Sequence, residues 1–252
     1  ESNNQKDKLL KVIRKELVTA SNYVFSLLPP IGNLGSFKTD WIFKPSEQLG
    51  GDAFGITKID DSNTAFYLLD VSGHGVGAAL HSVQVLNILQ NQTLPEVDFK
   101  DPRQVLNSLN NIFQMNNYSG MYFTICYAVY DSKTSILRYS SAGHPPMLLI
   151  QDGGYTELEA QNIFVGAVKI MDYKYDEVKI KKNSSLYMFS DGVFEYEKPN
   201  HEMYTFNNFK QDFYRKIEKQ NLNFDKFYEF SKSITGLQVL DDDYSILKIT
   251  FK

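Results

Sequence analysis

The stretch GGDAFGITKIDDSNTAFYLLDVSGHG, Gly50 to Gly75, decides how the rest of the chain is read. At its middle, Asp60-Asp61-Ser62-Asn63 is a cluster of short polar side chains that favour turns. On either side lie runs of strand-forming residues, Ala53 to Ile59 and Thr64 to Val71, so the segment predicts a β-hairpin. Antiparallel partners share a constant index sum, and a turn centred near Asp61 therefore sets Asp52 opposite Asp70 at the open end. Two opposed carboxylates repel unless a cation lies between them. Gly50-Gly51 before Asp52 and Ser72-Gly73 after Asp70 would let backbone approach such an ion closely.

Working outward, helical spacing follows the hairpin, with Val76, Leu80, Val83 and Leu86 on one face. A second helix starts at Asp101-Pro102, an N-cap followed by proline at the first helical position, with Val105, Leu109, Ile112 and Phe113 as its apolar face. Strands are expected at Met121 to Tyr130, Ile136 to Ser141, Met147 to Ile150 and Ser185 to Ser190, and short connections between them imply antiparallel pairing. Phe206 to Ile234 carries phenylalanines at helical spacing, and Tyr244 to Phe251 reads as a last strand. The fold class is α+β, with antiparallel sheets covered by helices.

Toward the N-terminus, Leu10, Leu17 and Val24 share one heptad position and Ile13, Ala20 and Leu27 the other, up to Pro29-Pro30. Such a helix either packs on its own domain or pairs with a second copy. The chain is accordingly divided at residue 30, with a regulatory or dimerising helix in 1–30 and a folded α+β domain in 31–252. It starts at Glu1 without a signal-peptide pattern and is read as part of something longer.

The composition excludes several classes. With 252 residues, 42% of them hydrophobic, 22% charged and a net charge of −4, the chain can bury a substantial core and is neither disordered nor supercharged. One cysteine, Cys126, excludes a disulfide framework and a Cys-based zinc site; it suits a reducing, cytoplasmic compartment and reads as a core residue. Apolar runs such as Phe66 to Leu69 fall far short of the roughly 20 residues of a membrane span. No Lys/Arg cluster interleaves with aromatics, so nucleic acid is not an expected partner.

Two more aspartates join the hairpin pair. Asp191 ends a strand in Ser190-Asp191-Gly192, and Asp242, in Asp241-Asp242-Asp243, begins one. If those strands are antiparallel neighbours, the four carboxylates gather at one pole. Oxygen-only ligands select hard Mg²⁺ or Mn²⁺, and two such ions about 3.5–4 Å apart can supply a water nucleophile for a phosphate ester. Against this stands the ordinary role of Asp beside Gly as a turn residue.

In order and spacing, Gly50-Gly51-Asp52, Asp70-Val71-Ser72-Gly73-His74-Gly75, Ser141-Ala142-Gly143-His144-Pro145-Pro146, Ser190-Asp191-Gly192-Val193-Phe194-Glu195 and Asp242-Asp243-Tyr244-Ser245 carry a resemblance. They resemble the PPM-type metal-dependent serine/threonine phosphatases of the bacterial SpoIIE/RsbU branch, from about Leu27 to the C-terminus. The resemblance implies a sandwich of two antiparallel β-sheets flanked by α-helices, and two Mn²⁺ or Mg²⁺ at one end. Asp70 would bridge both metals, the Val71 carbonyl and Asp52 would serve one side, and Asp191 and Asp242 would hold the other metal. It further implies a phosphorylated protein substrate, an anti-sigma-factor antagonist in a partner-switching pathway. On that reading the N-terminal helix transmits a signal from an upstream sensor or receiver domain absent from this chain. The pattern is departed from at Gly55, where the family's first motif has a second acid, and at Ser245, where threonine is commoner.

Other residues keep two readings. His74 is a general acid or a shaper of the glycine-flanked turn; His144 is a turn residue or borders the site; Lys44 reaches a substrate phosphate or is solvated. His81 and His201 carry no signal. Gly73-His74-Gly75-Val76-Gly77-Ala78 satisfies the dinucleotide fingerprint formally, but its strand is already paired in a hairpin and no ribose-binding acid follows a second parallel strand. The rival to an enzyme is a catalytically weak phosphatase-fold module acting through dimerisation and partner binding.

Overall fold

The computed structural model describes residues 2–252. Helix α1 (Ser2–Ser26) leads into β1 (Gly32–Leu34) and β2 (Phe37–Lys44), and the expected hairpin follows as β3 (Ala53–Lys58) and β4 (Asn63–Val71). Next come α2 (Val76–Asn91) and α3 (Pro102–Ile112), then β5 (Phe123–Asp131), β6 (Ile136–Ala142), β7 (Met147–Gln151) and β8 (Gly154–Leu158). Two short strands, β9 (Gln161–Asn162) and β10 (Asp176–Lys179), precede β11 (Ser185–Phe189) and the small ribbon of β12 (Tyr196–Glu197) and β13 (Met203–Tyr204). The chain ends with α4 (Phe206–Phe213), α5 (Phe224–Thr235) and β14 (Tyr244–Phe251).

Two sheets face each other. One has the order β1-β2-β14-β11-β7-β8, the other β10-β6-β5-β4-β3, all antiparallel, with β9 added parallel to β6. Strand alternation sorts each residue to one side. On β4, Phe66 and Leu68 face the opposite sheet and pack with Leu247, Ile249 and Phe251 of β14, whereas Ala65, Tyr67 and Leu69 meet Val85, Leu89, Val105 and Leu109 of α2 and α3. On the other sheet, Tyr187, Phe189 and Ile246 meet Phe209, Phe213 and Phe227 of α4 and α5. The result is helices, sheet, sheet, helices, the expected sandwich. Phe66 is fully buried at its centre, and truncating it to alanine should cost about 3–5 kcal/mol.

Local chemistry explains most boundaries. Asp101 caps α3, accepting from the backbone N–H of Arg103 (2.9 Å) and Gln104 (3.4 Å), with Pro102 first in the helix. The Phe206–Ile234 stretch is broken where Asn221 adopts a left-handed φ of 53°; the Asn223 side chain then caps α5 by accepting from Lys226 N–H.

The face of α2 is the expected one only in part: Leu86 is buried and Val83 packs partly buried beside Leu49, but Val76 and Leu80 are exposed, and Ala78, Ala79, His81, Ser82, Val85 and Leu89 are buried with Leu86. The helix starts so close to the Gly50-Gly51 turn that a Cβ on Gly51 would lie 3.3 Å from the Ala78 Cβ. Only small side chains fit that approach, which turns the bulky ones outward. Helix α1 divides lengthwise. Val24 and Leu17 pack against Leu49, Ala79 and Val83, and Phe25 against Phe43, while Leu10 and Ile13 are exposed. None of the described helices is long and apolar enough to cross a membrane.

Candidate metal centre

The β3–β4 register pairs Ala53 with Leu69, which places Asp52 and Asp70 side by side at the open end of the hairpin, as the index sum requires. Alternation then aims both inward: Asp52 lies on the side of Phe54 and Asp70 on the side of Phe66 and Leu68, toward the second sheet. On that sheet β11 and β14 are antiparallel neighbours, with Phe189 opposite Ile246, so Asp191 leaves one strand where Asp242 approaches the other. A Cβ on Gly192 would sit 3.1 Å from the Asp242 Cβ and 2.2 Å from the Asp243 carbonyl oxygen, so a side chain there would force the two segments apart. The topology brings all four aspartates to one pole of the sandwich.

Asp243, which the sequence did not single out, holds this pole together. Its buried carboxylate accepts from Ser46 N–H (2.8 Å), Ser46 Oγ (3.1 Å) and Asp52 N–H (3.3 Å), and a Cβ on Gly50 would lie 2.2 Å from its Oδ2. Ser190 Oγ donates to the Asp243 carbonyl and accepts from Ser245 N–H, both at 3.1 Å. Ser245 Oγ donates to Asp52 Oδ2 at 2.6 Å, a contact that needs a hydroxyl and so suits serine or threonine alike. The signal for Asp243 was present in the run of three aspartates, but which one turns inward depends on strand phase, and that is a tertiary property.

At the four carboxylates burial and like charge outweigh such hydrogen bonds as they receive, among them Asp243 N–H to Asp242 Oδ1 at 2.8 Å. Burial, then the charges of Asp70 and Asp243, push the Asp52 carboxyl well above its ordinary range. Asp70 is likewise raised by burial and by Asp191, Asp242, Asp243 and Glu195. Burial also raises Asp191, helped by Glu195, and Asp242, helped by Asp191. Asp52 is 1% exposed and its Oδ1 has no hydrogen-bond partner. A buried, bare carboxylate oxygen in a field of like charge is the arrangement a divalent cation relieves.

The donor set fits a hard ion. Among the described residues no three acidic, histidine or cysteine side chains close into a cage by themselves. Mg²⁺ and Mn²⁺ complete their shells with water and carbonyl oxygens. A Cβ on Gly51 would lie 2.7 Å from the Val71 carbonyl oxygen, so that carbonyl is reachable from the Gly-Gly turn and would be blocked by any larger residue.

The flanking residues divide. Gly73 (φ 91°) and Gly75 (φ 78°) take left-handed conformations that carry the chain from β4 into α2, and His74 between them is largely exposed, its Nδ1 3.1 Å from Glu47 Oε1. It stands near enough to Asp242 to lower that carboxyl's pKa. Lys44 points to the helix side of its sheet, 3.4 Å from Asp225 and facing the Tyr228 ring, and not toward the aspartates. Gly55 is explained by Tyr67, its cross-strand partner, whose ring lies 2.4 Å from where a Cβ would be and whose hydroxyl bonds Thr57 Oγ1. The missing acid would have been on the helix side of the sheet, away from the pole. Cys126 is buried in the core, and burial pushes its thiol up to about 12.

Two histidines proved more structured than their sequence context suggested. His81 is buried among Phe113, Tyr118 and Phe123 with both ring nitrogens unpartnered, and burial lowers its pKa. His144 is buried with Nδ1 2.7 Å from Thr124 Oγ1. Burial brings its pKa down to about 3, against a weaker opposing effect of the Phe189 backbone.

Phosphoserine phosphatase RsbU of Bacillus subtilis (strain 168) is 30% identical over 186 residues, 73% of this chain and 54% of that protein. Phosphoserine phosphatase RsbP of the same strain is 27% identical over 68% of this chain and 42% of its own length. The chain thus spans about half the length of these relatives. Among solved structures, the SiaA-PP2C domain of Pseudomonas aeruginosa shares the fold with a TM-score of 0.80 at 19% identity, covering 97% of this chain and 99% of that one. RsbX, solved in complex with magnesium, has a TM-score of 0.61 at 17% identity over 88% of this chain and 99% of that one. Residues 60–252 match the family described as Stage II sporulation protein E, and the chain belongs to that SpoIIE family.

Proposed function

We propose that the chain is a Mg²⁺/Mn²⁺-dependent phosphoprotein phosphatase acting on phosphoserine or phosphothreonine. The observation that carries the reading is the pole itself: Asp52, Asp70, Asp191 and Asp242 arrive from four strand ends, with a buried oxygen of Asp52 left bare. Asp70 is assigned to both of two ions, Asp52 and the Val71 carbonyl to one side, Asp191 and Asp242 to the other. When bound, the ions supply an activated water and neutralise charge on the transferring phosphoryl group. Asp243 and Ser245 keep Asp52 oriented for that task. His74, at the exposed rim, is assigned as proton donor to the leaving serine oxygen.

By likeness to RsbU and RsbP, the substrate is read as a phosphorylated anti-sigma-factor antagonist in a bacterial partner-switching pathway, and the compartment as the cytoplasm. We assign residues 1–30 to regulation and 31–252 to catalysis. The exposed Leu10 and Ile13 support a pairing surface for a second copy, while Leu17 and Val24 touch Val83 and Ala79 of α2, the helix that follows Asp70. Dimer contacts on α1, under an upstream sensor or receiver domain, would thereby bias metal occupancy. A chain starting at Ile31 with full activity and full metal affinity would overturn that regulatory part. Gly55, the departure that would favour the binding-module alternative, is accounted for by Tyr67.

The test is phosphate release from a panel of phosphorylated candidate antagonists with Mn²⁺ or Mg²⁺. Turnover by the wild type, abolished in Asp70→Asn, supports the enzyme; tight partner binding without turnover in the wild type supports the module.

A further inference from the structure

The two metal-ligand pairs of the proposed centre belong to different sheets, Asp52 and Asp70 to one and Asp191 and Asp242 to the other. Their separation is therefore a property of sheet spacing at this pole. The loop 143–146 is the crossover between the sheets here, since β6 ends at Ala142 beside Ile125 and β7 starts at Met147, one residue before the pairing of Leu148 with Tyr187 of β11. His144 is the buried side chain of that crossover.

Its contacts lead to both halves of the centre. Nδ1 bonds Thr124 Oγ1 at 2.7 Å, and Thr124 is the cross-strand partner of Asp70, on the same inward face as Cys126 and Ala128. The backbone of Phe189, two residues before Asp191, is also within reach of the ring. Ser141 Oγ donates to the His144 carbonyl at 2.8 Å, and a Cβ on Gly143 would lie 2.9 Å from that of Phe164, so the loop that carries the ring is tightly held. A turn residue with no further part to play would not need to be buried between two sheets or tied to the neighbour of a carboxylate.

We propose that His144 is a positioning residue for the metal centre: wedged between the sheets and bonded to Thr124, it fixes the distance of Asp70 from Asp191. The inference rests on the metal-centre reading above. It predicts a defect in ion binding separable from a defect in folding, because changes beside metal ligands typically cost 10–100-fold in affinity.

Titration calorimetry with Mn²⁺, alongside thermal unfolding of the metal-free chains, tests it. Thr124→Val, which keeps the shape and removes the hydroxyl, should weaken Mn²⁺ binding about tenfold or more. Thr124→Ser should bind as the wild type does, and His144→Leu should match Thr124→Val. Ser140→Ala removes another buried bond of the same sheet, from Ser140 Oγ to the Lys174 carbonyl, and should lower stability without changing affinity. If His144→Leu does not fold, the Thr124 pair decides. Unchanged Mn²⁺ affinity in Thr124→Val, whatever its stability, overturns the proposal. A wild type that binds no Mn²⁺ overturns instead the metal centre on which it rests.

Discussion

Asp52 and Asp70 at the open end of the β3–β4 hairpin and Asp60 at its turn are the same residue type on the same two strands, in opposite electrical states. The Asp60 carboxylate accepts from Ser62 N–H (2.9 Å), Asn63 N–H (2.8 Å) and Asn63 Nδ2 (2.9 Å), and these bonds, the Asn63 side chain first, hold it well below the usual carboxylate range. At the neighbouring β5–β6 turn Asp131 is also lowered: slight desolvation opposes, but bonds from Lys133 N–H and Thr134 Oγ1 prevail. At the open end burial and like charge act together: one oxygen of Asp52 receives the Ser245 hydroxyl and the other is bare, while Ser46 N–H goes to anchoring Asp243. An aspartate that makes a turn is satisfied by its own loop; an aspartate kept for an ion is left wanting.

Exchanging charge for amide at each end should break the comparison most visibly in turnover. Asp70→Asn is expected to reduce Mn²⁺-dependent phosphate release by about 10³-fold or more, whereas Asp60→Asn should stay within about twofold of wild type. Equal losses at both ends would remove the distinction.

Ion-linked stability is the next largest effect. Mn²⁺ at about a hundred times its Kd should add about 2.7 kcal/mol, a rise in Tm of roughly 5–10 °C, to the wild type and to Asp60→Asn. Asp242→Asn should show a smaller rise, read by calorimetric melting.

Acid sharpens the contrast further through His144. Its folded pKa, about 3, lies below the unfolded value near 6.5, so its contribution is complete above pH 6.5 and is lost as pH falls toward 3. Between pH 7 and 5 the wild type should lose about 2 kcal/mol more than His144→Asn in denaturant unfolding of the metal-free protein. The raised carboxylates act with the opposite sign, gaining protons and native stability as pH falls, which is why the variant is the reference.

The smallest effect is the most counterintuitive. Removing one repelling charge, Asp70→Asn should raise the metal-free stability by about 1 kcal/mol, while no gain is expected from Asp60→Asn. Urea unfolding in the presence of a chelator would measure it.

What the sequence made legible was local or arithmetical. The hairpin pairing of Asp52 with Asp70 followed from turn chemistry and strand parity, the start of α3 from Asp101-Pro102, and the meander from its turns. The bond from Ser245 to Asp52 shows why the commoner threonine could be replaced. What stayed hidden was set by packing between distant elements. The inward turn of Asp243, the cage around His81 and the small-residue face of α2 depend on what arrives from the far side of the sheet. Strands β8 and β10 were missed because they are short edge strands with little buried apolar alternation to announce them.

The central claim is that the four aspartates form a divalent-cation site, and direct binding tests it best. Titrating Mn²⁺ into the metal-free protein should show more than one ion per chain, with uptake sharply reduced in Asp70→Asn and preserved in Asp60→Asn. A wild-type chain that takes up no Mn²⁺, or an Asp70→Asn chain that binds as much and as tightly, would contradict it.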